Sequence, residues 1–470
     1  MKRFWRTLGT IALGMVFLTG CGDGETDKGP ASETRPAVTD SSAEEQGQSE
    51  QSQSSQDQNN QGQIRLTLGT CESPWELTYA VDAYNAGNGK YYVEIVDYGQ
   101  EYPDYDTAKE RLKLDLATSK GTDIVWVGDM VTDELGYAGV LADLNAYLTP
   151  ESREKYLTNI LGCAQTGDAL YEIAATFELG FIAGDSGKLG AETGWTVEEM
   201  LGIFRAGDKD ANGLGGVGVN TAQELALHAI EDFVDWDTSR ADFCKQEFYD
   251  ILEFCRNESG WSKATRESVA SGTHLAVRSG LSDVTDIQYT NWQLGEDWVV
   301  KGWPCDQGTG VKVSFGNPFA ISSYSQCPEG AWDFLEYYMT LDWLEDYAAL
   351  HPELPRKTYA SIHGLPLNRL AFEEMLEWST VQQYYEDTGE PVPLYFGEGS
   401  IPDFYANSAE DAERIREIVA LADGRSLSNL SFVSQIIGEE ISGYKAGVMS
   451  AEQTAEKIEN RVQVYLDEQK

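Results

Sequence analysis

Basic residues are scarce in this 470-residue sequence: 34 Lys and Arg stand against 78 Asp and Glu, a formal net charge of −44. A field of that sign repels phosphate backbones and anionic lipid surfaces, so nucleic acid is excluded as a partner. Its plain consequence is solubility; a pocket for a cationic ligand is the narrower alternative. Histidine is rarer still. His228, His274, His351 and His363 lie in unrelated contexts, and no Cys-x-x-Cys pair accompanies them, so no structural zinc site is expected. Cys71, Cys163, Cys244, Cys255, Cys305 and Cys327 are scattered without a disulfide-framework spacing. Cys244 and Cys255 flank a helical pattern that would hold them ~16 Å apart, too far for a bridge. Mostly free, buried thiols are expected. Gly-x-Ser-x-Gly, His-Glu-x-x-His and a local Ser/Cys–His grouping are all missing. Neither a cofactor nor a catalytic residue is therefore expected. Long apolar runs are lacking too: Ile11 to Leu18 is far short of the ~20 residues a membrane span needs.

What is present begins with order at the start of the chain. Lys2, Arg3 and Arg6 precede that apolar stretch, which ends in Leu18-Thr19-Gly20-Cys21. Charge, apolar core and small residues in this sequence read as a secretory signal over 1–20. The Cys after two small residues resembles the lipobox of bacterial lipoproteins, which implies acylation of Cys21. Residues 22–63 lose almost every apolar side chain (SSAEEQGQSEQSQSSQDQNNQGQ) and cannot bury enough surface to offset ordering entropy. A lipidated Cys and polar tether over 21–63 is the expectation, holding a folded body near the outer face of a membrane.

From Ile64 the pattern changes. Ile64 to Gly69 alternates as a strand, Trp75 to Ala86 reads as a helix and Tyr91 to Tyr98 as a second strand. A helix over Asp104 to Ser119 and a buried strand over Asp123 to Val127 follow. Tyr171 to Ile182 is strand-like, and Thr196 to Phe204 opens with the helix-start signal TVEE. Leu275 to Arg278, Trp298 to Trp303 and Phe319 to Ser322 are further short strands; from Glu329 onward the chain is largely helical, closing with Gln435 to Leu466. Alternating strands and helices predict an α/β body with mainly parallel sheets, and about 400 folded residues divide into two lobes. Ligands then sit beyond the carboxyl ends of strands. The loops of interest are Thr70 to Trp75, Gly128 to Met130, the end of Phe177-Glu178, Arg278 to Asp283 and Gly302 to Asp306.

Four segments in this order resemble one family. They are TSKGTDIVWVGDMVTDELGYAGVLADL, GDALYEIAATFELGFIAG with GWTVEEM, KGWPCDQGTGVKV with FAISSYS and EGAWDFLEYYM, and the closing IIGEEISGYKAGVMSAEQTAEKIENRVQVYLDEQ. The chain resembles extracellular solute-binding proteins of family 1, the receptors of ABC importers such as the maltose and oligosaccharide receptors. Thr122 and Ala174 stand where that family has Pro, and Arg278-Ser279-Gly280 where many of its sugar receptors place a Trp. The resemblance implies a two-lobed periplasmic-binding-protein-like fold of type II, each lobe a mainly parallel sheet flanked by helices, joined by a hinge. Lobe 1 is expected over 64–167 plus 320–378, and lobe 2 over 168–319 plus 379–470.

It also implies the site. Aromatic rings cover the C–H faces of a sugar, while carboxylates and amides bond its hydroxyls. By position the ligand-binding candidates are Trp75, Trp126, Asp129, Glu178, Trp236, Arg278 and Trp303. Asp129 matches the family's carboxylate at that loop, and Glu178 falls where the second lobe often uses a Glu. Arg278 is suited to a ligand carboxylate or a ring oxygen. Each has a plainer reading: core packing for Trp126 and Trp236, a loop cap for Asp129, an acid partner for Arg278. Asp208 to Gly213 resembles the opening of a calcium loop but has Val219 at its twelfth position, so a turn is the plainer reading. No metal is expected. The expected protein is a monomer that captures an oligosaccharide and passes it to ABC permease subunits. A receptor for a cationic or peptide solute, one that presents its solute to a sensor, and a secreted glycoside hydrolase are the alternatives.

Overall fold

The computed structural model describes residues 62–470 except 129, 131, 219, 237, 259, 355–356, 386, 427–431 and 469–470. The expectations for the signal, Cys21, nearly all of the tether and Asp129 fall outside the described residues. No helix among the described residues is long and apolar enough to cross a membrane.

Two main sheets organise the body. In the first, β1 (Ile64–Thr70) lies between β2 (Tyr91–Asp97) and β3 (Ile124–Trp126), parallel to both, with Leu68 opposite Ile95 and Ile124. Parallel strands need covered faces, and Leu66, Leu68, Ile124 and Val125 are all but inaccessible. The helices Trp75–Gly87 and Tyr105–Ala117 supply cover, the second started by Asp104, whose carboxylate accepts from Thr107 N. A late strand, β11 (Phe319–Ile321), returns antiparallel to β3. The chain therefore leaves this sheet after β3 and comes back to it almost two hundred residues later.

The second sheet is built around β4 (Thr176–Asp185). It runs β13 (Ala422–Arg425), β10 (Val311–Gly316), β4, β8 (Ala276–Leu281), β5 (Leu214–Gly215), while β9 (Trp298–Val300) and β12 (Leu365–Pro366) pair onto β4 as well. The parallel expectation needs correction here. Pairings of β4 with β8, β9, β10 and β12 are all antiparallel; only β5 with β8 and β10 with β13 are parallel. The direction of each pairing is set by where the chain re-enters the sheet, which alternation within a strand does not report. A separate hairpin joins β6 (Val234–Asp235) to β7 (Arg240–Ala241).

Helix boundaries follow local chemistry. Thr196 and Glu199 close a capping box on the helix Val197–Ala206, as the TVEE signal predicts. The closing segment is two helices, Phe432–Lys445 and Ala451–Glu468. Gly447 breaks it with φ of +70°, donating to Tyr444 O at 2.9 Å while Val448 N reaches Gly443 O at 3.1 Å. The six described cysteines form no disulfide among the described residues; Cys255 and Cys305 are buried, Cys244 is exposed and the others are intermediate.

β4 alternates strictly. Phe177, Leu179, Phe181 and Ala183 point into the core shared with the first sheet, while Ile182 belongs to a second core with Trp195, Phe204 and Leu225. The face bearing Glu178, Gly180 and Ile182 therefore looks toward the helices of the second core.

Candidate functional site

At the end of β1 the chain turns through Cys71–Pro74 and starts a helix at Trp75. Trp75 is half-buried, edge-on to Tyr79 at 5.2 Å between centroids, with Lys357 Nζ 4.9 Å above its ring. Burial pushes the neighbouring Glu76 carboxyl up, and the charges of Lys357 and His363 draw it partly back. His363 lies just before β12, and its Nε2 is 2.9 Å from Glu178 Oε1 on β4. That hydrogen bond, with help from Asp283 and Asp286, holds the imidazole's pKa above its ordinary value against the opposing effect of burial. Glu76, on the helix that follows β1, and Glu178, on β4, thus both feel the charge of His363.

Two residues along the same face of β4, about 7 Å from Glu178, comes Gly180, paired with Gly280 on β8. A Cβ at Gly180 would stand 3.8 Å from Trp303 Nε1, so the indole edge lies over a strip of sheet that carries no side chain. Trp303 is 1% exposed, and His228 stacks on its ring at 4.0 Å and 23°. Arg278 CZ lies 5.8 Å from the same ring, and its Nη1 donates to Glu224 Oε1 at 3.0 Å. Glu224 and His228 are four apart on the helix Thr221–His228, so they share its face. Lys312, opposite Gly180 on β10, is buried and 3.8 Å from Glu231. Burial, with Lys312 and Arg278 nearby, lowers the His228 pKa far below its usual value, so its ring is neutral. Burial raises the Glu224 pKa while Arg278 opposes it. Trp303 Nε1, His228 Nδ1 and Glu224 Oε2 are buried and have no hydrogen-bond partner among the described residues.

The seven sequence candidates therefore separate. Arg278 lies 5.8 Å from the Trp303 ring, Glu178 is two residues along β4 from the Gly180 that faces that indole, and Trp75 precedes Glu76, whose carboxyl feels the charge of His363. Arg278 lies within β8 and not in a loop after it. Trp126 is packed edge-on against Phe319 at 4.8 Å and is 4% exposed. Trp236 is 44% exposed in the turn of the β6–β7 hairpin, on a sheet of its own. Asp208–Gly213 forms a turn in which Asp210 Oδ1 accepts from Asn212 N and Nδ2 at 3.0 and 2.9 Å.

Sequence reasoning missed Glu224, His228, Lys312, Lys357 and His363. The Glu224-x-x-x-His228 spacing was a usable signal; the others are brought in by chain segments remote from the strand ends. Glu172 was missed as well. It is 3% exposed just ahead of β4, accepts from Thr132 Oγ1 at 2.7 Å and pairs with Arg425 on β13. It ties the segment after β3 to the second sheet.

The two sheets exchange crossing segments, and the candidate residues lie on the strands and helices around them. Residues 79–360 match the bacterial extracellular solute-binding protein family, and the chain belongs to it. No curated protein matches in sequence. Among solved structures, the cyclic alpha-maltosyl-1,6-maltose binding protein from Arthrobacter globiformis is similar, with 15% identity, TM-score 0.51 and coverage of 87% of this chain and 100% of that one. The sugar-binding protein MalE from Xanthomonas citri gives 14%, 0.53, 86% and 98% respectively. A periplasmic oligogalacturonide binding protein from Yersinia enterocolitica gives 13%, 0.53, 86% and 100%. The chain shares the two-lobed fold of these binding proteins, and membership in an extracellular family places it outside the cytoplasm.

Proposed function

We propose that the protein captures a carbohydrate by closure of its two lobes and delivers it to the permease of an ABC importer. The observation that carries this is the group Trp75–Glu76–His363–Glu178, which mixes an aromatic ring, carboxylates and an imidazole between segments of the two sheets. Hydroxyl edges take such carboxylates, and sugar C–H faces take such rings. A ligand that contacts both sides shifts the equilibrium toward the closed form by its extra contacts there. Lobe 1 is assigned to 64–167 plus 320–378 and lobe 2 to 168–319 plus 379–470, with the β12 segment contributing to the sheet of lobe 2. Cys21 serves as the acylated anchor and 22–63 as the tether, so a monomer works at the outer face of the membrane. The protein is a receptor and not an enzyme; it releases its ligand unchanged.

Isothermal titration against neutral and acidic oligosaccharides, followed by chromatography of the recovered ligand, tests this reading. Saturable binding with intact sugar is expected. Cleavage of the sugar, or tighter binding of a polyamine or peptide than of any saccharide, overturns it.

A further inference from the structure

The segments that cross between the two sheets run side by side. Ile173 bridges to Phe319, a residue of the first sheet, and three residues later Thr176 pairs with Gly316 in the second. A further crossing lies against them: Leu367 N donates to Ala175 O at 2.8 Å, and Leu365 pairs with Phe177. Short connections of this kind absorb the rotation when one lobe turns against another. Their freedom is limited by whatever else joins the two sides. Glu172 stands one residue ahead of Ile173 and is 3% exposed. Its Oε2 accepts from Thr132 Oγ1 at 2.7 Å, on the helix Thr132–Tyr137 that follows β3. Its Oε1 takes Nη2 of Arg425, which ends the edge strand β13 of the second sheet.

Arg425 is placed to span the crossing. Its guanidinium lies 5.9 Å from the ring centroid of Phe315, one residue before Gly316 on the neighbouring β10. Its Nη1 is 4.0 Å from Asp133 Oδ1, which also accepts from Thr166 Oγ1 at 2.6 Å. One side chain of the second sheet thus reaches two carboxylates on the first sheet's side, as the planar fork of Arg allows. The last helix approaches the same place. Burial pushes the Tyr465 phenol up to about 12, and the charges of Glu134 and Asp133, on the helix Thr132–Tyr137, add to the rise. We propose that Arg425 is a clasp across the crossing: by gripping Glu172 and Asp133 it fixes how far the two lobes part when no ligand is bound. Rotation about 173–176 and 316–319 must draw the guanidinium away from a buried carboxylate and leave that charge unpaired. Asp133, with a side chain 36% exposed, is the weaker hold because solvent screens it. The clasp goes beyond solute capture and acts whichever solute is bound.

Hydrogen–deuterium exchange of the ligand-free protein tests the clasp with Arg425→Gln, Arg425→Lys and Asp133→Asn. The reporters are the amides of Ile173 and Phe319, which donate to each other's carbonyls at 2.9 and 2.8 Å. Arg425→Gln should speed their exchange at least tenfold and enlarge the radius of gyration in small-angle scattering. The helix Val197–Ala206, packed in the second core, should exchange as in wild type. Arg425→Lys, which keeps the charge beside Glu172, should restore most of the protection. Asp133→Asn, on the exposed side, should speed the reporters at least threefold, and it keeps the test valid if Arg425→Gln does not fold. Unchanged reporters or an unchanged radius overturn the clasp, because the pair then restrains nothing. Equal acceleration along the whole chain overturns it too, because the pair then only stabilises the fold. Since no sugar is present, neither result bears on the carbohydrate reading, which stands or falls by titration.

Discussion

Gly180→Ala tests how closely the centre of the second sheet is packed. Gly180 is central in β4, hydrogen-bonded between Gly280 and Lys312, and its φ is not in the left-handed region. An added Cβ meets only Trp303 Nε1, at 3.8 Å, an ordinary contact. The unfolded chain loses freedom, so the variant should gain about 0.5–1 kcal/mol of stability. The same methyl would lie against the indole N–H, which has no partner among the described residues. Urea denaturation should therefore give an unfolding midpoint at or above wild type. The paired control is Gly280→Ala, whose Cβ would fall inside contact distance of the Leu179 carbonyl oxygen. That overpacking should cost about 1–3 kcal/mol of stability. A Gly180→Ala protein that is destabilised, or a Gly280→Ala protein as stable as wild type, refutes the reasoning.

Three further outcomes are expected. Glu178 raises the pKa of His363 above 6.5, so the pair's stabilising contribution is complete below about pH 6.5 and is lost as pH rises through the folded value; the melting-temperature gap between wild type and His363→Gln should shrink from pH 5 to pH 8, and a constant gap counts against the pair. Trp126→Ala should cost about 3–5 kcal/mol in denaturant unfolding, because its ring is packed against Phe319 and Tyr338; a loss of sugar affinity without loss of stability would contradict that burial. Thr196→Ala removes the cap of the helix Val197–Ala206 and should cost about 1 kcal/mol with sugar binding intact, measured by the same two methods.

Much of the fold was legible because its cause is local. β1, its following helix, β2 and β3 appear within one or two residues of the expected ends, since alternation and apolar runs report burial directly. The Thr196 cap was readable for the same reason. β10 and β13 were not separately anticipated; β13 reads ADGR and becomes a strand only because β10 lies beside it. Antiparallel pairing around β4 was likewise invisible, because partner direction depends on where the chain returns from.

The scarcity of basic residues and of histidine gains a sharper meaning at the site. Sequence alone determined the alternation of strands and helices, the polar stretch ahead of the folded body and the family resemblance, all of which depend on neighbours in the chain. It also singled out Arg278, Trp303 and Glu178, but it could not say that Arg278 is paired to Glu224, that His228 stacks on Trp303, or that His363 bridges to Glu178. Those facts belong to tertiary structure, because each joins residues tens to nearly two hundred positions apart whose meeting is set by sheet order and helix packing.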